Sequence, residues 1–211
     1  MKKVTETKDF VIYDDVLDEN QFKNVWQSIQ SDEYVFPHVN SWTKVWRITD
    51  GSPIGSRDYG LSERPYNNYM DLMHFVISET AKAHPKIILP WEKMTLRSYL
   101  YPRDTKLSWH NDQGYKGAAI FYAHPYWAST WGGELMIATT SESEFISPPH
   151  LDHKLEDAFL NQYGLGTYIN SKPNRLVLTR PGVWHSINRV DKDAGDNCRA
   201  TVVAFFKEDN K

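Results

Sequence analysis

From residue 91 to near its end, the sequence is a series of short apolar segments separated by turn residues. The segments lie at residues 94–101, 118–122, 132–138, 175–179 and 200–206. Regularly spaced short strands with turn signals between them are typical of a β-sandwich or a β-barrel. The second half of the chain is therefore expected to form such a barrel.

The first half of the chain contains two predicted helices. A short strand is predicted at residues 10–13, and Asp18 is then the predicted N-cap of the first helix, because Gln21 completes a capping-box pattern three residues later. The second helix is predicted over about residues 65–83, since its apolar residues recur at helical spacing and a proline follows. A further strand is predicted at residues 41–49 from its alternation.

No repeat, low-complexity tract or linker divides the 211 residues, so we expect one domain. It would consist of an N-terminal helical layer over about residues 1–90 and a β-barrel core over about residues 91–208. A segment at about residues 141–174 interrupts the strand pattern, and residues 151–163 within it could form a short helix. Its length is typical of a lid or of a disordered loop, and the sequence does not decide between the two.

Composition excludes several classes of protein. Cys198 is the single cysteine, which rules out an internal disulfide and favours the reducing cytoplasm. A net charge of −3 at pH 7 argues against a protein that binds nucleic acid by neutralising phosphates. There is neither a transmembrane-length apolar run nor an apolar signal sequence after the first residues. We therefore predict a cytoplasmic protein with no nucleic-acid or membrane partner.

One histidine and one aspartate lie two residues apart, at His110 and Asp112, and a second histidine follows much later at His185. In a β-strand, residues two apart point the same way, so His110 and Asp112 would share a face. Two imidazoles and one carboxylate are the ligands of the facial triad that binds Fe(II) and leaves coordination positions open. These three residues are therefore the candidate metal ligands.

A rival cluster lies in the polar segment after Pro149, where His150, Asp152 and His153 have a spacing that could bind metal on a helix. A solvated loop is the favoured interpretation of that cluster. The remaining histidines have no partner pattern and are predicted to be structural: His38, His74, His84 and His124.

A candidate carboxylate receptor accompanies the metal ligands. Arg199 opens the last apolar strand, and Thr201, two positions on, would share its face. Arginine presents a planar fork that binds a carboxylate bidentately, and hydroxyls such as those of Tyr101, Tyr122 and Thr201 could complete the hydrogen bonding. Arg189 is a competing candidate, but no apolar strand follows it. A metal beside such a receptor would suit a keto-acid co-substrate.

Taken in this order, the motifs resemble those of the Fe(II)- and 2-oxoglutarate-dependent dioxygenases, specifically the prolyl 4-hydroxylase-like branch. The resemblance covers about residues 94–206 and, more loosely, residues 10–29. It rests on Tyr-Pro at 101–102 with Leu-Ser-Trp-His-Asn-Asp at 107–112, Phe-Tyr-Ala at 121–123 with Trp127, Gly-Gly-Glu-Leu at 132–135, and Arg-Leu-Val-Leu at 175–178 with Trp-His at 184–185. Two segments are longer than is usual in the branch: the one between His185 and Arg199, and residues 141–174.

The resemblance implies an α+β protein whose core is a double-stranded β-helix, a jelly-roll barrel of the cupin-like type, with N-terminal flanking helices. The implied catalytic residues and iron ligands are His110, Asp112 and His185. The implied contacts to 2-oxoglutarate are Arg199, Tyr122 and Thr201 at its distal carboxylate, with Tyr101 lining the pocket.

The activity that the resemblance implies is hydroxylation of an unactivated C–H bond in an amino-acid-type substrate, either a free amino acid or a prolyl or peptidyl residue. Fe(II), 2-oxoglutarate and O2 would be required, succinate and CO2 would be the co-products, and ascorbate is an accessory reductant to test. Two alternatives remain open: a cupin-type metal enzyme that does not use 2-oxoglutarate, and a non-catalytic metal-binding or sensing barrel. A carbohydrate-binding jelly roll would explain the eight tryptophans but not the triad.

Overall fold

A computed structural model describes residues 1–36, 50–60, 68–112, 114–139, 160–161 and 164–208. Its helices are α1 (Glu19–Gln30) and α2 (Asn68–Lys82). Its strands are β1 (Lys2–Glu6), β2 (Phe10–Asp14), β3 (Tyr34–Val35), β4 (Ile54–Ser56), β5 (Tyr59–Gly60), β6 (Lys93–Tyr101), β7 (Leu107–His110), β8 (Gly117–Tyr122), β9 (Leu135–Ala138), β10 (Gly166–Ile169), β11 (Leu176–Thr179), β12 (His185–Ile187) and β13 (Arg199–Lys207). Neither helix is long and apolar enough to cross a membrane.

The described strands form two antiparallel sheets. The larger sheet has nine strands, in the order β1-β2-β11-β8-β13-β6-β4-β3, with β5 also paired to β6. The smaller sheet has four strands, in the order β10-β9-β12-β7. Because β7 pairs with β12, and β13 pairs with β6 and β8, the strands that carry the predicted site residues come from distant parts of the sequence and are brought together only by the fold.

The two faces of the larger sheet have different partners. Alternate residues of its central strands, such as Phe121 and Val202, join the apolar side chains of α1 and α2 in one buried cluster. Successive residues of a strand point to opposite faces, so Tyr122 and Thr201 face the other way. Tyr122 belongs to a second cluster with Leu135 of the smaller sheet. The space between the sheets therefore holds the predicted site residues.

Local signals placed several elements correctly. The predicted strand at residues 10–13 is confirmed by β2. The capping box is also confirmed, because the Gln21 backbone N–H donates to the Asp18 side chain at 2.8 Å and the Asp18 backbone N–H donates to the Gln21 side chain at 3.2 Å. The predicted second helix is confirmed over α2, but its first residues lie outside the described ranges. The predicted strand at 41–49 and the rival cluster of His150, Asp152 and His153 also lie outside the described ranges.

Two features differ from the expected arrangement. The first ninety residues are more than a helical layer, because β1 to β5 extend the larger sheet. Residues 141–174 are not all loop either, since β10 pairs along β9 from Gly166 to Ile169. Three of the four β10 residues are not buried, so the segment lacks the apolar run that would mark a strand, and its pairing with β9 is decided by the fold.

Candidate metal centre and carboxylate receptor

The pairing of β7 with β12 places His110 directly opposite His185. Their ring centroids are 4.2 Å apart, and both side chains are buried. Asp112 lies two residues beyond the end of β7, and its carboxylate Oδ2 is 3.5 Å from His185 Nε2. One ligand atom from each of the three residues lies within 4.8 Å of the other two, so the structure brings together the predicted metal ligands.

Asp112 reaches this position differently from the prediction. It does not continue the strand, because it opens a turn in which the Tyr115 backbone N–H donates to the Asp112 carbonyl at 3.0 Å. Burial raises the pKa of the Asp112 carboxyl, while the nearby His185 favours its charged form. A cation at this point would stabilise the carboxylate, since an opposite charge offsets the penalty of desolvation.

Each histidine ring is oriented by a backbone carbonyl two residues earlier in the chain. His110 Nδ1 lies 2.8 Å from the Ser108 carbonyl oxygen, and His185 Nδ1 lies 2.8 Å from the Val183 carbonyl oxygen. A carbonyl only accepts hydrogen bonds, so each Nδ1 carries the proton and each Nε2 presents its lone pair. This is the arrangement that metal-binding histidines adopt.

A buried aspartate supports the first of these carbonyls. Asp50 is fully buried, and its carboxylate accepts a hydrogen bond of 2.7 Å from the Ser108 hydroxyl. Ser108 therefore links Asp50 to the His110 ring. Sequence reasoning missed Asp50, because it lies far from residues 108–112 in the chain and belongs to no recognisable motif.

The predicted carboxylate receptor also comes together. Arg199 is fully buried and lies opposite Tyr101 of β6, while Thr201 lies opposite Tyr122 of β8. Four polar groups of this set are buried without a hydrogen-bond partner among the described residues: Arg199 Nη1, Arg199 Nη2, Tyr122 Oη and Thr201 Oγ1. The rings of Tyr101 and Tyr122 each lie with their centroid 5.0 Å from Arg199 Cζ.

This set of unpaired groups has a definite chemical preference. A buried guanidinium without an anionic partner carries a desolvation penalty of about several kcal/mol. A carboxylate would accept two hydrogen bonds from the Arg199 fork and further ones from the hydroxyls of Tyr122 and Thr201. Arg189, the competing arginine, is exposed and donates to the Asp104 carbonyl.

Tyr101 lies within electrostatic reach of both groups of residues. Burial raises the pKa of its hydroxyl, the Arg199 charge lowers it, and the Asp112 charge raises it further. Tyr101 packs with Leu107 and Ile187 of the smaller sheet, so the charges of the metal-ligand cluster and of the carboxylate receptor both act on a hydroxyl that lies between the sheets.

Comparisons with known proteins give a fold and no closer relationship. No protein-family model and no curated protein matches the chain. A prolyl-4-hydroxylase from Pseudomonas putida is 13% identical with a TM-score of 0.65, and the match covers 95% of this chain and 92% of that one. A prolyl hydroxylase from Trichoplax adhaerens, solved with a peptide fragment of the hypoxia inducible factor oxygen degradation domain, is 14% identical with a TM-score of 0.62, covering 96% and 84%.

A third structural match has a different kind of ligand. HygX from Streptomyces hygroscopicus, solved with nickel, 2-oxoglutarate and hygromycin B, is 10% identical with a TM-score of 0.63, and the match covers 95% of this chain and 83% of that one. Identities this low carry no information about substrate. The chain thus has the fold shared by these two prolyl hydroxylases and by HygX.

Proposed function

We propose that the protein is an Fe(II)- and 2-oxoglutarate-dependent dioxygenase whose two sheets form the double-stranded β-helix, or jelly-roll, core of a single domain. The observation that carries this proposal is the set of four unpaired polar groups of Arg199, Tyr122 and Thr201 beside the His-Asp-His cluster. The space between the sheets thus offers a receptor for a metal and a receptor for a carboxylate. A 2-oxo acid with a distal carboxylate is the ligand that would use both.

The chain's own residues would bind and orient the reactants. His110 and His185 would bind Fe(II) through Nε2, and Asp112 would bind it through its carboxylate. Arg199, Tyr122 and Thr201 would hold the distal carboxylate of 2-oxoglutarate away from water, with Tyr101 packed against the guanidinium. Iron, 2-oxoglutarate and O2 would together supply C–H hydroxylation, with succinate and CO2 as co-products.

The proposed substrate is of the amino-acid type, free or within a peptide. Arg97 lies on β6 opposite Val203 and in alternation with Tyr99 and Tyr101, so it lies on the same face of the larger sheet as these tyrosines. Its Nε is 3.0 Å from the Asp58 carboxylate, and its side chain is 15% exposed. A neighbouring cation and anion can recognise the carboxylate and the ammonium or amide N–H of such a substrate.

The decisive experiment is an anaerobic titration of the metal-free protein with Fe(II) and then 2-oxoglutarate. We expect a metal-to-ligand charge-transfer band, followed in air by succinate release in a screen of free amino acids, proline-containing peptides and small metabolites. Arg199→Ala should abolish saturation by 2-oxoglutarate, whereas the exposed control Arg189→Ala should not. If the protein binds Fe(II) but not 2-oxoglutarate, the cupin-type enzyme replaces this proposal. If it binds neither Fe(II) nor 2-oxoglutarate, a non-catalytic barrel is favoured.

The cytoplasmic location stays a prediction from the single cysteine, Cys198. A small-molecule or peptide substrate, with no nucleic-acid or membrane partner, likewise belongs to the proposal. Ascorbate dependence is tested by adding it to the same turnover assay.

A further inference from the structure

The orientation of the Arg199 guanidinium depends on one buried hydroxyl. Arg199 Nε donates to Ser171 Oγ at 3.1 Å, and Ser171 Oγ in turn donates to the Gly133 carbonyl at 2.6 Å. Ser171 and Arg199 are both fully buried. The hydroxyl thus uses one acceptor and one donor position, and it occupies the Nε side of the guanidinium. Nη1 and Nη2 are left for a ligand.

The aliphatic part of Arg199 is confined by a glycine. Gly133 has φ +73°, and a Cβ at this position would lie 2.8 Å from Arg199 Cδ. That distance is too short for two carbon atoms, so the arginine stem fits only because residue 133 has no side chain. The guanidinium itself lies over the rings of both Tyr101 and Tyr122. The side chain is thus held along its whole length.

His124 connects Ser171 to the strand that carries Arg199. Its Nε2 lies 2.7 Å from the Ser171 carbonyl oxygen, and the Ala200 backbone N–H donates to its Nδ1 at 3.2 Å. Nδ1 also lies 3.1 Å from the Ala200 carbonyl oxygen, which accepts the Ala123 N–H at 2.9 Å. Burial lowers the pKa of the ring to about 4, so the ring is neutral at pH 7, and the short contact with the Ser171 carbonyl places its proton on Nε2.

We propose that Ser171 and His124 are positioning residues that aim the Arg199 fork at the distal carboxylate of the co-substrate. His124 fixes the Ser171 segment against β13, and the Ser171 hydroxyl fixes the guanidinium plane. Bidentate binding depends on that plane, because both N–H groups must meet both carboxylate oxygens. This inference rests on the proposed function, since it concerns the same receptor.

The test compares two ligands that differ only at the distal end. These are 2-oxoglutarate and 2-oxopentanoate, which has the same five-carbon 2-oxo acid chain without the distal carboxylate. Dissociation constants are measured by anaerobic calorimetric titration of the Fe(II)-loaded protein. For Ser171→Ala we expect Kd for 2-oxoglutarate to rise roughly tenfold, the size of one hydrogen bond to a charged group, with Kd for 2-oxopentanoate unchanged. Turnover should show a raised KM for 2-oxoglutarate with little change in kcat.

Two further variants separate positioning from folding. His124→Leu, which removes both ring hydrogen bonds, should have the same selective effect, and His124→Gln, which can restore the N–H to the Ser171 carbonyl, should recover much of the affinity. Thermal unfolding of the metal-free variants shows whether each one folds. If Ser171→Ala does not fold, the Leu and Gln pair at position 124 supplies the same comparison.

The possible outcomes have distinct meanings. Equal weakening of both 2-oxo acids, or no change in either, would overturn the positioning role. If Arg199→Ala itself left 2-oxoglutarate binding intact, the proposed function would fail instead. Loss of 2-oxoglutarate binding in Arg199→Ala but not in the Ser171 and His124 variants would overturn this inference alone.

Discussion

His110 and His185 face each other across adjacent antiparallel strands, and each ring is held by the carbonyl of the residue two positions before it. The two imidazoles are therefore oriented by the same local geometry on two strands that are far apart in sequence. His185 Nε2 lies 3.5 Å from the Asp112 carboxylate, and one ligand atom of His110 lies within 4.8 Å of the other two residues' ligand atoms. A preformed site of this kind should bind metal with little rearrangement.

Removing one of the three ligands should remove metal binding. For His185→Ala or Asp112→Asn we expect Fe(II) affinity to fall by at least ~100-fold, since even the loss of a hydrogen bond that orients a metal ligand costs about 10–100-fold. Equilibrium dialysis with Fe(II) or Ni(II) measures this directly. His84→Ala is the matched control, because His84 is also buried but contacts Tyr13 and Glu6. Wild-type affinity in both ligand variants would exclude the cluster as the metal site.

Arg199→Met should separate stability from ligand binding. Replacing a buried, unpaired charge with an apolar side chain of similar length should raise the free energy of unfolding of the ligand-free protein by about 1–2 kcal/mol. The same variant should lose saturable binding of 2-oxoglutarate. Urea denaturation with and without 2-oxoglutarate measures both effects. A marked loss of stability in the ligand-free variant would show that the guanidinium is already compensated within the protein.

His124 should make folding stability depend on pH. Burial, aided by the Arg199 charge, lowers its pKa from 6.5 to about 4 in the folded protein. The unfolded chain therefore binds the extra proton between pH 6.5 and about 4, so this contribution is complete above pH 6.5 and is lost as the pH falls to about 4. The contribution is on the order of 3 kcal/mol. Among the described residues, the other titratable side chains near the ring are Tyr122 and, along the adjoining groove, Tyr126, Asp196 and Cys198.

Urea denaturation at pH 8 and pH 5 checks this expectation. The difference in unfolding free energy between the two pH values should be smaller in His124→Gln than in the wild type, because glutamine does not titrate. An equal difference in the two proteins would mean that other groups carry the acid sensitivity.

Arg97 should act on the substrate and not on the co-substrate. With a substrate identified in the turnover screen, Arg97→Ala should raise its KM about tenfold or more, because a charge-assisted hydrogen bond is lost. The KM for 2-oxoglutarate should stay within about twofold of the wild-type value, because this variant leaves the receptor at Arg199 unchanged. Arg103→Ala is a control on the surface, where the ion pair with Asp196 is exposed. An unchanged substrate KM would remove the support that Arg97 gives to an amino-acid-type substrate.

Much of the fold followed from local patterns. Three features depend on residues that are close together in the chain. They are the capping box at Asp18 and Gln21, the strands around residues 94–101 and 200–206, and the pairing of an imidazole with a nearby carboxylate. Strand β10 had no such pattern, because only one of its four residues is buried and it is held by its pairing with β9. The exact place where β7 ends was also missed, since the turn after Asp112 is made by a backbone contact.

The sequence by itself determined which side chains are the candidates for the chemistry: two histidines, an aspartate and an arginine at spacings that predict a metal site and a carboxylate receptor. Only the tertiary structure decided which of their atoms remain without partners, and which distant residues hold them. Ser171 and Arg199 are separated by 28 positions, and His124 and Ala200 by 76, so no local pattern could pair them. Burial favours hydrogen bonds between polar groups, so the fold decides which of these distant residues contact one another.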